Sequence, residues 1–346
     1  KSLSASSPST LPESESEALP NESSNEVSPM SASSSLAGLI WSMKWLGLKY
    51  KKSAYKVLTK TGNPPDAPFA KDFFGLKYEG NLKNNIEFSI YYYGAFEKPL
   101  LFFLRDALAS LSRDCPAQSP SCFCDIGANI GQHSLYMSQF ADTVHAFEPF
   151  DEVSKKLEHQ IGLNKIENIS LHKVGLSDIT EKLTFYAPTG SNQGIGSFDA
   201  GTVSKGNQAL GELSLKNGDE LFAELAIKQI DLMKIDVEGF EKRTLKGLSQ
   251  QLKQQRPIIV CELSYGTELS FSSKKELIAA MPVDYEFFVF DIRKPNGSKA
   301  RRKGAKAKRS GFYSLIPHRG WRDTGQDDIV ACPKEKVALL PLESLA

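Results

Sequence analysis

Long uninterrupted apolar runs are missing from this chain of 346 residues. The nearest approach is LAGLIWSMKWLGLKYKKSAYKVL, residues 36–58, which Lys44 divides and which is too short to span a bilayer. Two uses remain for it: an interfacial helix with Trp41 and Trp45 opposite Lys49, Lys51 and Lys52, or a helix docked on the domain or on a second copy of the chain. Docking is the expectation, because amphipathic stretches usually bury their apolar stripe against protein. Cysteine is scarce as well. Five occur, at positions 115, 122, 124, 261 and 332, an odd number with no C-x-x-C pair, which argues against a zinc site. All but Cys115 fall in apolar, strand-like segments and read as small core residues of a protein kept reduced, with the cytoplasm as the expected location. Neither sign of charge dominates, since 42 Lys and Arg face 41 Asp and Glu. Aromatics are absent from residues 1–35, where 14 serines and five glutamates leave too little apolar surface to offset chain entropy. That segment is expected to be disordered, and it lacks the basic and apolar regions of a secretory signal. The chain begins at Lys1 rather than Met.

What is present begins with FCDIGANIGQHSLYM, residues 123–137. An apolar strand ends in Asp125-x-Gly127-Ala128-Asn129-x-Gly131 and passes directly into a helix, the arrangement of a nucleotide-type site with free amide donors at the helix start. A dinucleotide loop reads G-x-G-x-x-G, and its first glycine is here replaced by Asp125. An acid would repel a pyrophosphate but suits a ligand with a cationic amino-acid end, such as S-adenosyl-L-methionine. TVHAFEPF, residues 143–150, follows as a second buried strand, and Glu148 at its end stands where a carboxylate accepts from ribose hydroxyls. A third strand, residues 169–177, closes on Ser177 and Asp178, placed to meet an adenine edge. The fourth, residues 229–239, delivers Asp236 and Glu238. Ligands of open α/β sheets bind beyond the carboxyl ends of the strands, so these acids are expected to line one crevice.

The combination of DIGANIG, AFEP, LSD and LMKIDVEGFEKRTLKG followed by RPIIVCEL resembles the FkbM-type family of S-adenosylmethionine-dependent methyltransferases over residues 120–335. YYYGAFEKPLLFFL, residues 91–104, is similar to that family's lead-in, a Gly-x-x-Glu before a helix. The resemblance implies methyl transfer mostly onto hydroxyl groups of sugars, polyketides or other secondary metabolites. It also implies a Rossmann-like class I methyltransferase fold, a mostly parallel seven-stranded sheet with a C-terminal antiparallel hairpin and helices on both faces. The alternating β-α order and the strand pair at 285–292 and 327–333 agree with that class.

Three regions are expected: the Ser-rich segment 1–35, a helical lead-in and linker 36–118 with Pro64, Pro65 and Pro68, and the catalytic domain 119–340. An alcohol needs deprotonation before it attacks a methyl carbon, whereas an amine needs only its lone pair. Strand alternation would set Asp236 and Glu238 on one face, where each raises the other's pKa. Either would then serve as base, or both would share a divalent ion with Glu262, although no metal is expected. The competing reading leaves Asp236 orienting ligand while Glu238 and Glu241 cap the next helix. His133 is expected to line the methionine pocket, and Asn192, Gly194 and Ser197 to border the acceptor. An N-methyltransferase of an amine or peptide is the alternative, and a non-catalytic binding module the remoter one. Residues 293–309 carry nine basic side chains and no acid. They read as a solvated hairpin tip or a clamp for an anionic acceptor. Nucleic acid is disfavoured: aromatics are not interleaved, and Asp236-Val237-Glu238-Gly239 stands where base amine methylation places an Asn/Asp-Pro-Pro-aromatic tetrapeptide.

Overall fold

The computed structural model describes residues 39–40, 43, 45–60, 64–114, 120–188, 196–266, 269–294, 298 and 300–344. The Ser-rich segment 1–35 lies outside them, as do Trp41, Lys44, Cys115, Asn192 and Gly194.

In chain order the elements are α1 (Leu48–Lys60), β1 (Pro68–Phe73), β2 (Leu76–Asn81), α2 (Asn85–Tyr93), α3 (Lys98–Asp114), β3 (Cys122–Ile126), α4 (Gln132–Met137), β4 (Thr143–Phe147), α5 (Asp151–Asn164), β5 (Ile169–His172), β6 (Gly175–Ser177), β7 (Glu181–Pro188), β8 (Asn207–Asn217), α6 (Gly218–Glu224), β9 (Leu232–Ile235), α7 (Glu241–Gly247), α8 (Ser249–Gln255), β10 (Ile258–Tyr265), α9 (Lys274–Ala280), β11 (Tyr285–Phe290), α10 (Arg301–Ser310), β12 (Leu315–Pro317) and β13 (Gly325–Pro333). The main sheet runs β12-β11-β13-β10-β9-β3-β4-β5. Its five strands from β10 to β5 pair in parallel, and β13, β11 and β12 add antiparallel. The order reverses at β3, with β4 on one side and β9 on the other, and such a reversal opens a crevice at the carboxyl ends. This is the class I methyltransferase arrangement expected above, with one strand more than seven because β12 pairs along the outer edge.

The parallel strands read as near-continuous apolar runs because both faces are covered. β3 and β9 are buried along their whole length. Helix α3 covers one face through Leu100, Leu101, Leu104, Leu108 and Leu111, spaced at helical periodicity and all buried. Each such leucine contributes about 1.5–3 kcal/mol. Within this face Asp106 accepts a hydrogen bond from the Tyr313 hydroxyl at 2.8 Å, tying α3 to the C-terminal strands.

Four expectations need correction. The third strand is not continuous: β5 belongs to the main sheet, whereas β6 joins β8 and β7 in a separate three-stranded sheet. The lead-in is not only helix and linker, because β1 and β2 form a hairpin whose two-residue loop, Phe74-Gly75, takes positive φ at both positions. FEKRTLKGLSQQL, residues 240–252, has apolar residues at 240, 245, 248 and 252 and reads as one helix, but it is broken at Leu248 into α7 and α8. The basic stretch is not a bare hairpin tip: Arg, Lys and Ala favour helix, and residues 301–310 form α10, closed by Gly311 in a left-handed cap. Helix α1 docks as expected, with Tyr55 stacked on Phe88 at 3.7 Å and donating to Asn85 at 2.7 Å. Among the described residues no helix is long and apolar enough to cross a membrane.

Candidate active site

The loop after β3 is shaped by close backbone approach. Gly127 sits at φ +79, and a Cβ there would lie 1.9 Å from the Asp236 carbonyl oxygen, so only glycine lets the β3 and β9 ends meet. The Gly127 and Ala128 amides both donate to the Phe147 carbonyl at 3.0 Å, joining this loop to the end of β4. Asn129 follows in the left-handed region, and its amide donates to Glu148 at 2.8 Å; the Phe150 amide donates to the other Glu148 oxygen at 2.9 Å. Burial pushes the Glu148 carboxyl up to about 7 despite these donors.

A cavity of about 640 Å³, including its open mouth, lies over these strand ends. Gly127, Asn129, Glu148, Asp236 and Glu238 all line it, so five predicted residues from three strand ends converge. Phe185, Phe198 and Phe240 form an aromatic wall, supplied partly by the smaller sheet. Sequence reasoning missed Phe185 and Phe198, which carry no motif. Gly131, Ser177 and Asp178 do not line the cavity. Gly131 packs against Leu157, and Ser177 is fully buried. Asp178 is held by Arg243 at 2.6 Å and Lys246 at 2.8 Å, which carry it down to about 2 although burial pushes the other way. It closes a surface ion-pair network instead of facing the cavity.

Asp125 is also withdrawn from the cavity. It is fully buried, accepts from the Ser134 hydroxyl at 2.6 Å, and leaves its Oδ1 without a hydrogen-bond partner 3.9 Å from the Lys234 ammonium. Lys234 in turn donates to Asp236 at 3.1 Å. Burial alone would lower the Lys234 pKa, but Asp236, Asp125 and Glu97 hold it well above the ordinary range. This lysine, inside the strand that precedes Asp236, is the cationic partner that the apolar pattern of the strand conceals.

The two carboxylates after β9 do not owe their positions to strand alternation, since the strand ends at Ile235 and Glu238 turns into the left-handed region at φ +52. Strained backbone of this kind costs about 1–3 kcal/mol and gathers at functional sites. Burial, then Asp236 and Glu241, lift the Glu238 carboxyl to about 8. Glu241 accepts from the Gly239 amide at 2.9 Å and serves the helix start, as the capping reading expects. Glu262 lies on β10, outside the cavity wall, and accepts from the Gln326 amide at 3.1 Å. Burial and the surrounding Asp236, Asp328, Glu238 and Glu97 drive it to about 11, so it is protonated at neutral pH. Ser197 donates to the Glu238 carbonyl at 3.3 Å, and His133 is buried at the start of α4.

Residues 125–287 match the Methyltransferase FkbM domain. This segment is an FkbM-type methyltransferase domain. The chain is 26% identical over 210 residues to Methyltransferase 1 of Beauveria bassiana, spanning 56% of this chain and 84% of that relative. It is 29% identical over 149 residues to the hexuronic acid methyltransferase AglP of Haloferax volcanii, spanning 42% of this chain and 56% of AglP. Among solved structures, the methyltransferase FkbM of Methylobacillus flagellatus aligns at 16% identity with a TM-score of 0.35, over 66% of this chain and 47% of the other. Within the FkbM domain, the glycine loop, Glu148 and the Asp236-Glu238 turn are the parts that meet in the cavity.

Proposed function

We propose that this FkbM domain transfers a methyl group from S-adenosylmethionine to a hydroxyl group on a sugar, glycan or secondary metabolite. The observation that carries it is the joint cavity of the glycine loop, Glu148, Asp236 and Glu238. The residues fit the donor. A backbone cradle closed to any Cβ at Gly127, a carboxylate for ribose hydroxyls at Glu148 and an aromatic wall suit an adenosine moiety. Asp236, fixed by Lys234, offers its remaining acceptor capacity to an ammonium group. When bound, the donor supplies a methyl carbon on a sulfonium, open to in-line displacement. The protein's share is then positioning and removal of one proton from the acceptor.

Glu238 suits the proton-removing role because it lines the cavity and its carboxyl lies near neutrality, where a general base works best. Glu262, already protonated and outside the cavity wall, is no longer suited to act as the base. An amine acceptor is less well matched, since surrounding carboxylates favour its protonated form, which has no lone pair to attack. The relative named for hexuronic acid is consistent with a sugar acceptor. Calorimetry with S-adenosylhomocysteine tests the donor site: saturable binding is expected, weakened in Glu148→Gln, and no binding would overturn the reading. Mass spectrometry of an extract incubated with isotopically labelled S-adenosylmethionine then reports the acceptor atom. A label on nitrogen would replace the hydroxyl assignment.

A further inference from the structure

A second cavity, of about 710 Å³ including its mouth, lies between the start of α3, the end of β11 and helix α10. Phe96, Leu100 and Phe290 supply apolar walls, Glu97 and Asp328 an acidic floor, and Lys308 the basic side. The floor belongs to the same electrostatic cluster as the first cavity: burial chiefly raises the proton affinity of Glu97 and Asp328, and the charge of Asp236 adds to both. Glu97 itself stands in the left-handed region at φ +45, as Glu238 does at the other cavity. His133 adjoins Glu97 without lining the cavity. It is buried, its Nε2 has no hydrogen-bond partner, and that atom lies 3.8 Å from Glu97. Buried imidazole nitrogens are normally satisfied.

The rim has the opposite charge. Lys308 of α10 lies 4.6 Å from the centre of the Tyr93 ring, and Lys52 of α1 lies 3.9 Å from the same centre. Burial lowers the Lys308 pKa, and the charges of Lys52 and Lys56 push the same way against the opposing Tyr93 and Glu97. Gathering like charges beside a cavity costs free energy unless an anion joins them.

We infer that this second cavity seats the methyl acceptor, and that the acceptor is a hydroxylated molecule bearing a carboxylate or phosphate group. The anion sits at the rim against Lys308 and Lys52, hydroxyls face Glu97 and Asp328 on the floor, and the reacting hydroxyl is directed through the acid cluster that Glu97 shares with Asp236 and Glu238. The polarity gradient orients it, because the lysines hold the anion while the buried carboxyls of the floor offer it no cation and exchange hydrogen bonds with hydroxyls instead. Apolar walls take the less polar face of a sugar-like ring. The word acceptor rests on the methyl-transfer reading above; the binding site itself does not.

The test is protection of Lys308 and Lys52 from acetylation, read by peptide mass spectrometry, with glucuronate, glucose 6-phosphate and glucose as probes. At saturation at least one of the two anionic sugars is expected to slow acetylation of both lysines by roughly tenfold, and glucose is not. Which anion protects more strongly distinguishes carboxylate from phosphate. Failure of both anions, or equal protection by glucose, would overturn the inference. Gly304→Phe supplies the second arm, because a Cβ at Gly304 meets nothing within 4 Å and Gly304 lines the cavity. The variant is expected to keep its melting temperature and lose protection; protection surviving the blocked cavity would refute the site. If that variant does not fold, Lys308→Gln replaces it and the readout is loss of protection at Lys52. Calorimetry with S-adenosylhomocysteine separates the two readings. Absent binding there would sink the donor site and leave the protection pattern to judge the acceptor site alone.

Discussion

The two cavities are built by different means. The first rests on the parallel half of the sheet, where β3, β4 and β9 end together and the backbone approaches so closely that Gly127 has no room for a methyl group. The second rests on the antiparallel half, roofed by α10, where Gly304 has open space in front of it. One glycine is required where two strand ends meet, and the other marks open space. Lys234 is a buried cation whose charge acts on carboxyls of both cavities, Glu238 in the first and Glu97 and Asp328 in the second. The difference teaches that a sheet switch point fixes its backbone by close approach, whereas the cavity under α10 is shaped by side chains of elements packed around the sheet.

Removing the shared cation should have the largest effect. Lys234→Met leaves Asp125 and Asp236 without their partner, and urea denaturation is expected to show a loss of about 3–5 kcal/mol. A loss near zero would show that the two cavities do not depend on it. Next comes pH. Glu148, Glu241 and Asp328 are raised to about 7 and Glu238 to about 8, mainly by burial, so the folded state holds protons that the unfolded chain has already released. Stability should therefore fall, by at least ~2 kcal/mol, as pH rises from about 5 to about 8. Methyl transfer should rise over the same window as Glu238 becomes a free base; parallel profiles would remove Glu238 from that role. Asp178, lowered to about 2, has the opposite sign and contributes stability that is lost only in acid.

Smaller effects sharpen the contrast between the glycines. Gly127→Ala meets both a forbidden φ and the Asp236 backbone and should cost about 2–3 kcal/mol in chemical denaturation, with donor binding abolished. Glu148→Gln should weaken S-adenosylhomocysteine binding about tenfold, near 1.4 kcal/mol, by calorimetry. Gly304→Ala should stabilise by about 0.5–1 kcal/mol, since alanine is the better helix former and nothing obstructs it. Destabilisation there would mean that the space is not free.

Much of the first cavity was legible in the chain, because its parts are local and ordered. An acid and three spaced small residues after an apolar strand, then Glu148 and Asp236 after the next strands, announce a switch-point site without tertiary information. Asp125 and Asp178 illustrate the limit. Both stand at strand ends as expected, yet Asp125 turns inward to Ser134 and Lys234, and Asp178 turns outward to Arg243 and Lys246. Whether a terminal carboxylate faces ligand or a cation depends on neighbours from distant segments. The basic stretch shows the same limit, since its composition allowed a loop while its helix propensity and its seat beside α3 gave α10.

The sequence by itself determined the α/β alternation, the glycine loop and the order of carboxylates along the sheet, since these follow from short-range periodicity and turn chemistry. Tertiary structure alone decided that Lys234 would be buried between Asp125 and Asp236, that Glu97 would meet Asp328 under α10, and that Lys52 and Lys308 would share one tyrosine ring. Apart from Lys234 and its near neighbour Asp236, these pairings join segments far apart in the chain, and only burial in a common low-dielectric space makes their charges interact strongly.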